Sequence, residues 1–122
     1  MILRFGGSFF FTNNIQNNNG FEYFIEAVSA KVFGFELYPG IYRKAAFYMF
    51  SIISNHIFFD GNKRTGLASA LLYLRKNNLR MKSNLKSSDI TDFTFKVAKS
   101  EISLDEMETW FINNFEYINY NM

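Results

Sequence analysis

The sequence contains no cysteine, a single histidine and a single proline. Without cysteine the chain has no disulfide, no thiolate zinc site and no cysteine nucleophile. With a single histidine it cannot form a metal centre built from several imidazoles. Imidazole chemistry near neutral pH therefore depends on His56.

Long apolar runs are also missing. No stretch of about 18 apolar residues occurs, so the sequence predicts no membrane span. The segment Met1–Gly7 has no apolar core of signal-peptide length, and with the absence of cysteine this predicts a cytoplasmic protein. The net charge is +2 and the basic residues are dispersed, so we expect no direct binding of nucleic acid.

The chain has the length and the apolar content of one domain. Its 122 residues are 48% apolar and include 16 Phe and 7 Tyr. A chain of this size can bury roughly two-thirds of its unfolded surface, which allows a real core. No repeat, linker or charge block divides the sequence, so we predict a single domain over residues 1–122.

The N-terminal third shows two patterns. The first twenty residues are irregular and rich in Asn and Gly, which predicts a loop or a short hairpin. From Phe21 to Phe33 apolar residues recur at steps of three and four, which predicts a helix that Gly34 ends. The turn Tyr38–Gly40 then separates this helix from the next.

The remaining sequence predicts four more helices, and therefore an all-α fold, a compact helical bundle. The fourth has an open alternative, because the alternation Phe93–Thr94–Phe95 is also compatible with a strand. The last opens with the capping box Ser103–Glu106. The predicted spans are 41–55, largely buried, then 62 to about 78, a span beginning at Ser87–Asp89, and 103 to about 117.

The segment His56–Leu67 contains the residues best suited to chemistry. A loop leads to a new helix that opens with Asn62, Lys63 and Arg64. Backbone N–H groups at a helix N-terminus, with the positive end of the helix dipole, favour phosphate. Gly61 allows close approach of the backbone, Arg64 offers a planar fork for phosphate oxygens, and Lys63 adds a cation.

Two further residues of this segment suit phosphoryl or nucleotidyl transfer. Asp60 is a hard carboxylate, and Mg²⁺ typically binds through one carboxylate together with phosphate oxygens and water. His56 could take a proton from an incoming hydroxyl. Phe58 is better explained as an anchor of the loop in the core.

Taken singly, each of these residues has a structural explanation as well. A lone histidine is more often structural, Asp60–Gly61 is an ordinary turn, and Lys63–Arg64 could be a solvated helix face. From composition and spacing alone, these alternatives stay open beside a phosphate site.

The segment resembles the signature of the Fic/Doc (Fido) superfamily, H-x-F-x-[D/E/N]-[A/G]-N-[G/K]-R. Seven fixed or restricted positions match without a gap. Phe5–Ser8 resembles the glycine pair near the start of Doc proteins, and Leu71–Asn77 is similar to the end of their signature helix. The likeness runs from about residue 4 to residue 115. It implies a Fido-type bundle with room for a short N-terminal hairpin or flap, here lacking the usual first helix.

Two positions are similar to the Doc branch. Lys63 and Leu67 stand where AMP-transferring Fic proteins usually have a glycine and a second, phosphate-binding arginine. The resemblance thus implies a Doc-like toxin that binds ATP in the reverse sense and transfers its terminal phosphate to a threonine of elongation factor Tu, which blocks translation.

The resemblance also implies the residue roles. His56 is the general base, Asp60 is the Mg²⁺ ligand, and Gly61, Asn62, Lys63 and Arg64 form the phosphate and nucleotide site. The Fic self-inhibitory motif is absent, because no Glu precedes Gly or Asn. Restraint is therefore expected from a separate antitoxin. The alternatives are transfer of AMP, or an inactive module that binds antitoxin or nucleotide.

Overall fold

The computed structural model describes residues 31–32, 35–36, 38–56 and 61–119. Within these ranges four helices and two small antiparallel sheets follow one another, and the predicted helical bundle is confirmed. No helix in the described ranges is long and apolar enough to cross a membrane. The helices are α1 (Ile41–Ser54), α2 (Asn62–Lys76), α3 (Ser87–Ala98) and α4 (Leu104–Asn114). The strands are β1 (Lys31–Val32), β2 (Phe35–Glu36), β3 (Leu79–Met81) and β4 (Phe115–Tyr117).

Helix α1 lies at the centre of the bundle and contacts each of the other three helices. Its side chains Ala45, Ala46, Met49 and Ile52 have no exposed surface. The two alanines add little volume, so neighbouring helices can approach the α1 backbone closely. The predicted span and its burial are confirmed, with the end one residue earlier than expected.

Helix α3 settles the ambiguity between helix and strand at Phe93–Phe95. Its start is fixed where the backbone N–H of Lys86 donates to Oδ2 of Asp89 at 3.0 Å. Phe93 is buried and stacks on Trp110 of α4, with ring centroids 3.8 Å apart and planes within 3°. Phe111 meets Phe93 edge-on at 5.4 Å. Burial of these rings against α4 stabilises the helical form, because the helix places Phe93 and Val97 on one face.

Helix α4 begins as predicted and ends earlier. Ser103 Oγ accepts from the N–H of Glu106 at 3.1 Å, and Glu106 Oε1 accepts from the N–H of Ser103 at 2.9 Å, which confirms the capping box. The prediction that the helix continues to about Tyr117 is wrong. Residues Phe115–Tyr117 form β4, which pairs with β3.

The reason for the early end lies in a distant part of the chain. The N–H of Lys82 donates to the carbonyl of Asn114 at 2.9 Å, so that carbonyl is satisfied across the sheet. Arg80 Nε lies 3.1 Å from Glu116 Oε2 on the neighbouring strand. These pairings give the last residues a partner that continued helix would lack.

The predicted helix over Phe21–Phe33 is wrong at its end. Lys31–Val32 is a strand, paired with Phe35–Glu36 in antiparallel register. Two residues separate the strands in sequence, which is the spacing of a β-hairpin, and Val and Phe favour extended backbone. The rest of that predicted helix, its stop at Gly34 and the predicted N-terminal loop or hairpin lie outside the described residues.

Candidate functional site

His56 directly follows the C-cap of α1, in the left-handed conformation that commonly ends a helix. Its φ of +45° lies in the left-handed region, and its N–H donates to the carbonyl of Ile53 at 3.4 Å. For a residue with a Cβ this region costs about 1–2 kcal/mol. Asn78 and Ser100 adopt the same conformation after α2 and α3, so at His56 it marks the end of the helix. The side chain of His56 is exposed, as a base that meets a substrate must be.

Gly61 starts the second half of the site. Its φ of +78° is left-handed, which a glycine adopts without penalty, and its carbonyl accepts the first helical hydrogen bond from Thr65 at 2.8 Å. Because Gly61 has no side chain, it cannot cap α2 in the way that Ser or Asp would. The first turn of α2 therefore presents its dipole without a capping oxygen from that position.

Gly66 sets the distance between α1 and α2. A Cβ at this position would lie 2.8 Å from Cγ1 of Ile53 and 3.2 Å from the carbonyl oxygen of Met49. Only glycine permits this approach, since carbon atoms in contact prefer about 3.5–4.0 Å. The contact lies one turn inside α2, just beyond the cationic residues, and so holds the start of α2 against the end of α1.

These two helix ends enclose a cavity of about 530 Å³, which is within the range of small-molecule sites. The structure brings five of the predicted site residues together on its wall: His56, Gly61, Asn62, Lys63 and Arg64. Of the described residues, Ile53 of α1 and Ala98 of α3 also line it. The chemical roles given to these residues stay predictions.

The charge at the start of α2 is the reverse of the usual preference. The first turn contains Lys63 and Arg64 and no acidic residue, although a helix N-terminus favours acidic side chains. The other end is ordinary, with Arg75 and Lys76 in the last turn. Two exposed cations added to a positive dipole end repel one another, and an anion bound in the cavity would relieve that repulsion.

Helix α3 forms a wall of the site that the sequence did not indicate. Ala98 lines the cavity, and the ammonium of Lys63 lies over the exposed ring of Phe95, 4.8 Å from its centroid. Lys99 Nζ lies 5.9 Å from the same ring. Phe95 and Lys99 are four residues apart and so share a helix face, but nothing local places that face beside α2.

Two predicted site residues lie outside the described residues. They are Asp60, the predicted Mg²⁺ ligand, and Phe58, the predicted anchor of the loop. Both belong to the segment 57–60 between His56 and Gly61, and their roles stay predictions.

Comparison with known proteins gives matches that include this site. The model of the Fic/DOC family matches residues 1–74, which is more than half of the chain. The chain is 36% identical over 86 residues to the Protein kinase doc of Escherichia phage P1, covering 70% of this chain and 65% of that protein. It is 33% identical over 78 residues to the Toxin Doc of Mycolicibacterium smegmatis, covering 64% of this chain and 60% of that protein.

The chain thus spans less than two-thirds of the length of either relative. The family match contains α1 and most of α2, which are the elements that place His56 and the cationic turn on one cavity. On this match, the chain belongs to the Fic/DOC family.

Proposed function

We propose that this protein is a Doc-like toxin that transfers the terminal phosphate of ATP to a hydroxyl group of another protein. The observation that supports this most is the position of His56 on the same cavity as the cationic first turn of α2. Phosphoryl transfer depends on positioning and electrostatic stabilisation, and an anion site beside a base meets both needs. Relatives named Protein kinase doc and Toxin Doc agree with a kinase that acts as a toxin.

In this proposal the first turn of α2 binds the phosphates and His56 acts as the general base. The first turn of α2 binds the phosphates through its backbone dipole, the guanidinium of Arg64 and the ammonium of Lys63. An imidazole nitrogen of His56 accepts the proton of the attacking hydroxyl. The hydroxyl oxygen forms a bond to the terminal phosphorus while the bond from that phosphorus to the bridging oxygen breaks, and ADP leaves.

Asp60 is the residue that would hold Mg²⁺. It directly precedes Gly61 in sequence, so its backbone is joined to the start of the phosphate-binding turn. A single carboxylate completed by phosphate oxygens and water is the ligand set that Mg²⁺ accepts in such sites. When bound, the ion neutralises charge on the phosphates.

The resemblance to Doc toxins suggests which phosphate moves, the acceptor and the partner. Lys63 places a cation where AMP-transferring Fic proteins usually have glycine, and Leu67 cannot bind an anion there. The terminal phosphorus, rather than the α-phosphorus, then faces His56. We take a threonine of elongation factor Tu as the acceptor, and a separate antitoxin as the partner that restrains the enzyme.

Growth after induction tests this proposal. Expression of the chain in a bacterial host should arrest growth, and His56→Ala should remove the arrest while the protein stays folded, because His56 is exposed. Asn113→Ala, at an exposed position of α4, is the matched control and should remain toxic. Equal toxicity of the wild type and His56→Ala at matched expression would contradict the proposal.

A further inference from the structure

The sequence does not predict where the ammonium of Lys63 lies. It lies in the first turn of α2, where the dipole repels an ammonium, and its neighbour Arg64 has the same charge. Its four-carbon stem is flexible. Within the described ranges no carboxylate lies at salt-bridge distance from Lys63. Local forces near α2 therefore do not hold this ammonium beside the phosphate-binding turn.

The structure shows what does hold it. The Lys63 ammonium lies over the ring of Phe95, 4.8 Å from the centroid, which is within the range of a cation–π interaction. Phe95 is 46% exposed, so part of its ring is open to an approaching cation. Lys63 lines both the 530 Å³ cavity and a smaller groove of about 200 Å³ between α2 and α3, whose lining includes Phe95. The side chain thus lies along the junction of the two helices.

We infer that Phe95 is a positioning residue, which fixes the Lys63 ammonium at the α3 side of the cavity so that it meets the phosphates of the nucleotide. This inference rests on the proposed function. It adds a residue outside the sequence motif to the nucleotide site, and it makes α3 a determinant of ATP affinity. Without the ring face, the ammonium has no fixed position in solvent and contributes less to phosphate binding.

Lys99 supplies a matched control. Its ammonium lies 5.9 Å from the same centroid, at the outer limit of such an interaction, and Lys99 does not line the 530 Å³ cavity. Lys99→Met and Lys63→Met each remove one positive charge from the surroundings of the Phe95 ring. A general loss of positive potential would weaken ATP binding equally in both variants, whereas the inference predicts an effect of Lys63→Met alone.

The test is ATP binding by calorimetry in MgCl₂, with the KM for ATP measured beside it. Phe95→Leu should weaken ATP binding and raise KM by about threefold to tenfold with kcat nearly unchanged. Phe95→Tyr, which keeps an aromatic face, should bind ATP like the wild type. Lys63→Met and Phe95→Leu combined should be no worse than Lys63→Met alone, since both remove one interaction. Because Phe95 is half-exposed, the thermal midpoint should show that Phe95→Leu remains folded.

A second readout needs no catalysis. After reductive ¹³C-methylation of the lysines, the Lys63 methyl signal should be shifted upfield by the Phe95 ring, and Phe95→Leu should remove the shift. Absence of the shift in the wild type would overturn the inference. So would unchanged ATP binding in Phe95→Leu, or additive losses in the double variant. A wild type that binds no ATP at all, with the upfield shift present, would instead overturn the proposed function, and the role assigned to Phe95 with it.

Discussion

Replacing Gly66 by alanine would displace the two halves of the site relative to each other. The new Cβ would lie 2.8 Å from Cγ1 and 3.1 Å from Cδ1 of Ile53, and 3.2 Å from the carbonyl oxygen of Met49. The first of these distances is about 0.7 Å short of the closest favourable carbon–carbon contact. Because the backbone of α1 and a buried side chain stand in the way, α2 must move by a similar amount.

The cost in stability is modest because two effects oppose each other. Overpacking a core typically costs about 1–3 kcal/mol. Alanine in place of glycine inside a helix returns about 1 kcal/mol. We therefore expect the free energy of unfolding to fall by roughly 0–2 kcal/mol. Activity should fall much further, since a displacement near 1 Å at a catalytic site can cost about a hundredfold.

The assay is the phosphotransfer rate of Gly66→Ala beside its urea unfolding curve. Gly40→Ala is the control: its φ is +86°, and a Cβ there would meet nothing within 4 Å. It stands at the far end of α1, about 20 Å from His56 by helix geometry. With a ψ of 154° it lies in a region that essentially only glycine adopts, so Gly40→Ala should lose about 1–3 kcal/mol to backbone strain and keep its activity. Ile53→Ala combined with Gly66→Ala should be more stable than the two separate losses predict. A fully active Gly66→Ala variant would refute the reasoning.

Two further predictions concern the loop and the last helix. Asp60→Ala should strongly lower Mg²⁺-dependent activity with little change in stability, because the sequence predicts a turn at Asp60–Gly61 and a carboxylate in a turn has little packing to lose; coincident Mg²⁺ titrations of both proteins would contradict this. Ser103→Ala should lower the free energy of unfolding by about 1 kcal/mol in urea titrations. The hydrogen bond from the backbone of Ser103 to Glu106, aided by the Ser103 side chain, lowers the pKa of Glu106 below its ordinary 4.5. The stabilisation that this lowered pKa gives is present above pH 4.5 and is lost as the pH falls through the pKa of Glu106 in the folded protein. Because Ser103→Ala removes one of the two hydrogen bonds that lower this pKa, its free energy of unfolding should fall less on acidification than that of the wild type.

Local signals predicted where the four described helices begin. The capping box at Ser103–Glu106 places its hydrogen bonds within four residues, so sequence alone identifies the start of α4. The apolar spacing of α1 and α2 is equally local. The strand Leu79–Met81 has three residues, too few for a periodic pattern, and its partner Phe115–Tyr117 lies more than thirty residues away. That distant pairing also ends α4, which no glycine or proline marks in the sequence.

The residues of the site also divide into those that are close in sequence and those that only tertiary packing brings together. The residues from His56 to Arg64 are close in sequence, so a motif of nine positions contains them and the structure places the described ones on one cavity. Ala98 reaches that cavity, and Phe95 reaches Lys63 on the cavity wall, only because α3 packs beside α2. Nothing in the alternation around Phe95 distinguishes a ring that meets a lysine of another helix from a ring that faces the core.

The most direct test of the central claim follows the phosphorus that moves. The purified protein would be incubated with Mg²⁺, purified elongation factor Tu and ATP labelled at either the γ- or the α-phosphorus. We predict label on elongation factor Tu from the γ position alone, and loss of this label in His56→Ala. Label from the α position would make the protein an AMP transferase, and no label from either would leave an inactive binding module; either result would contradict the account.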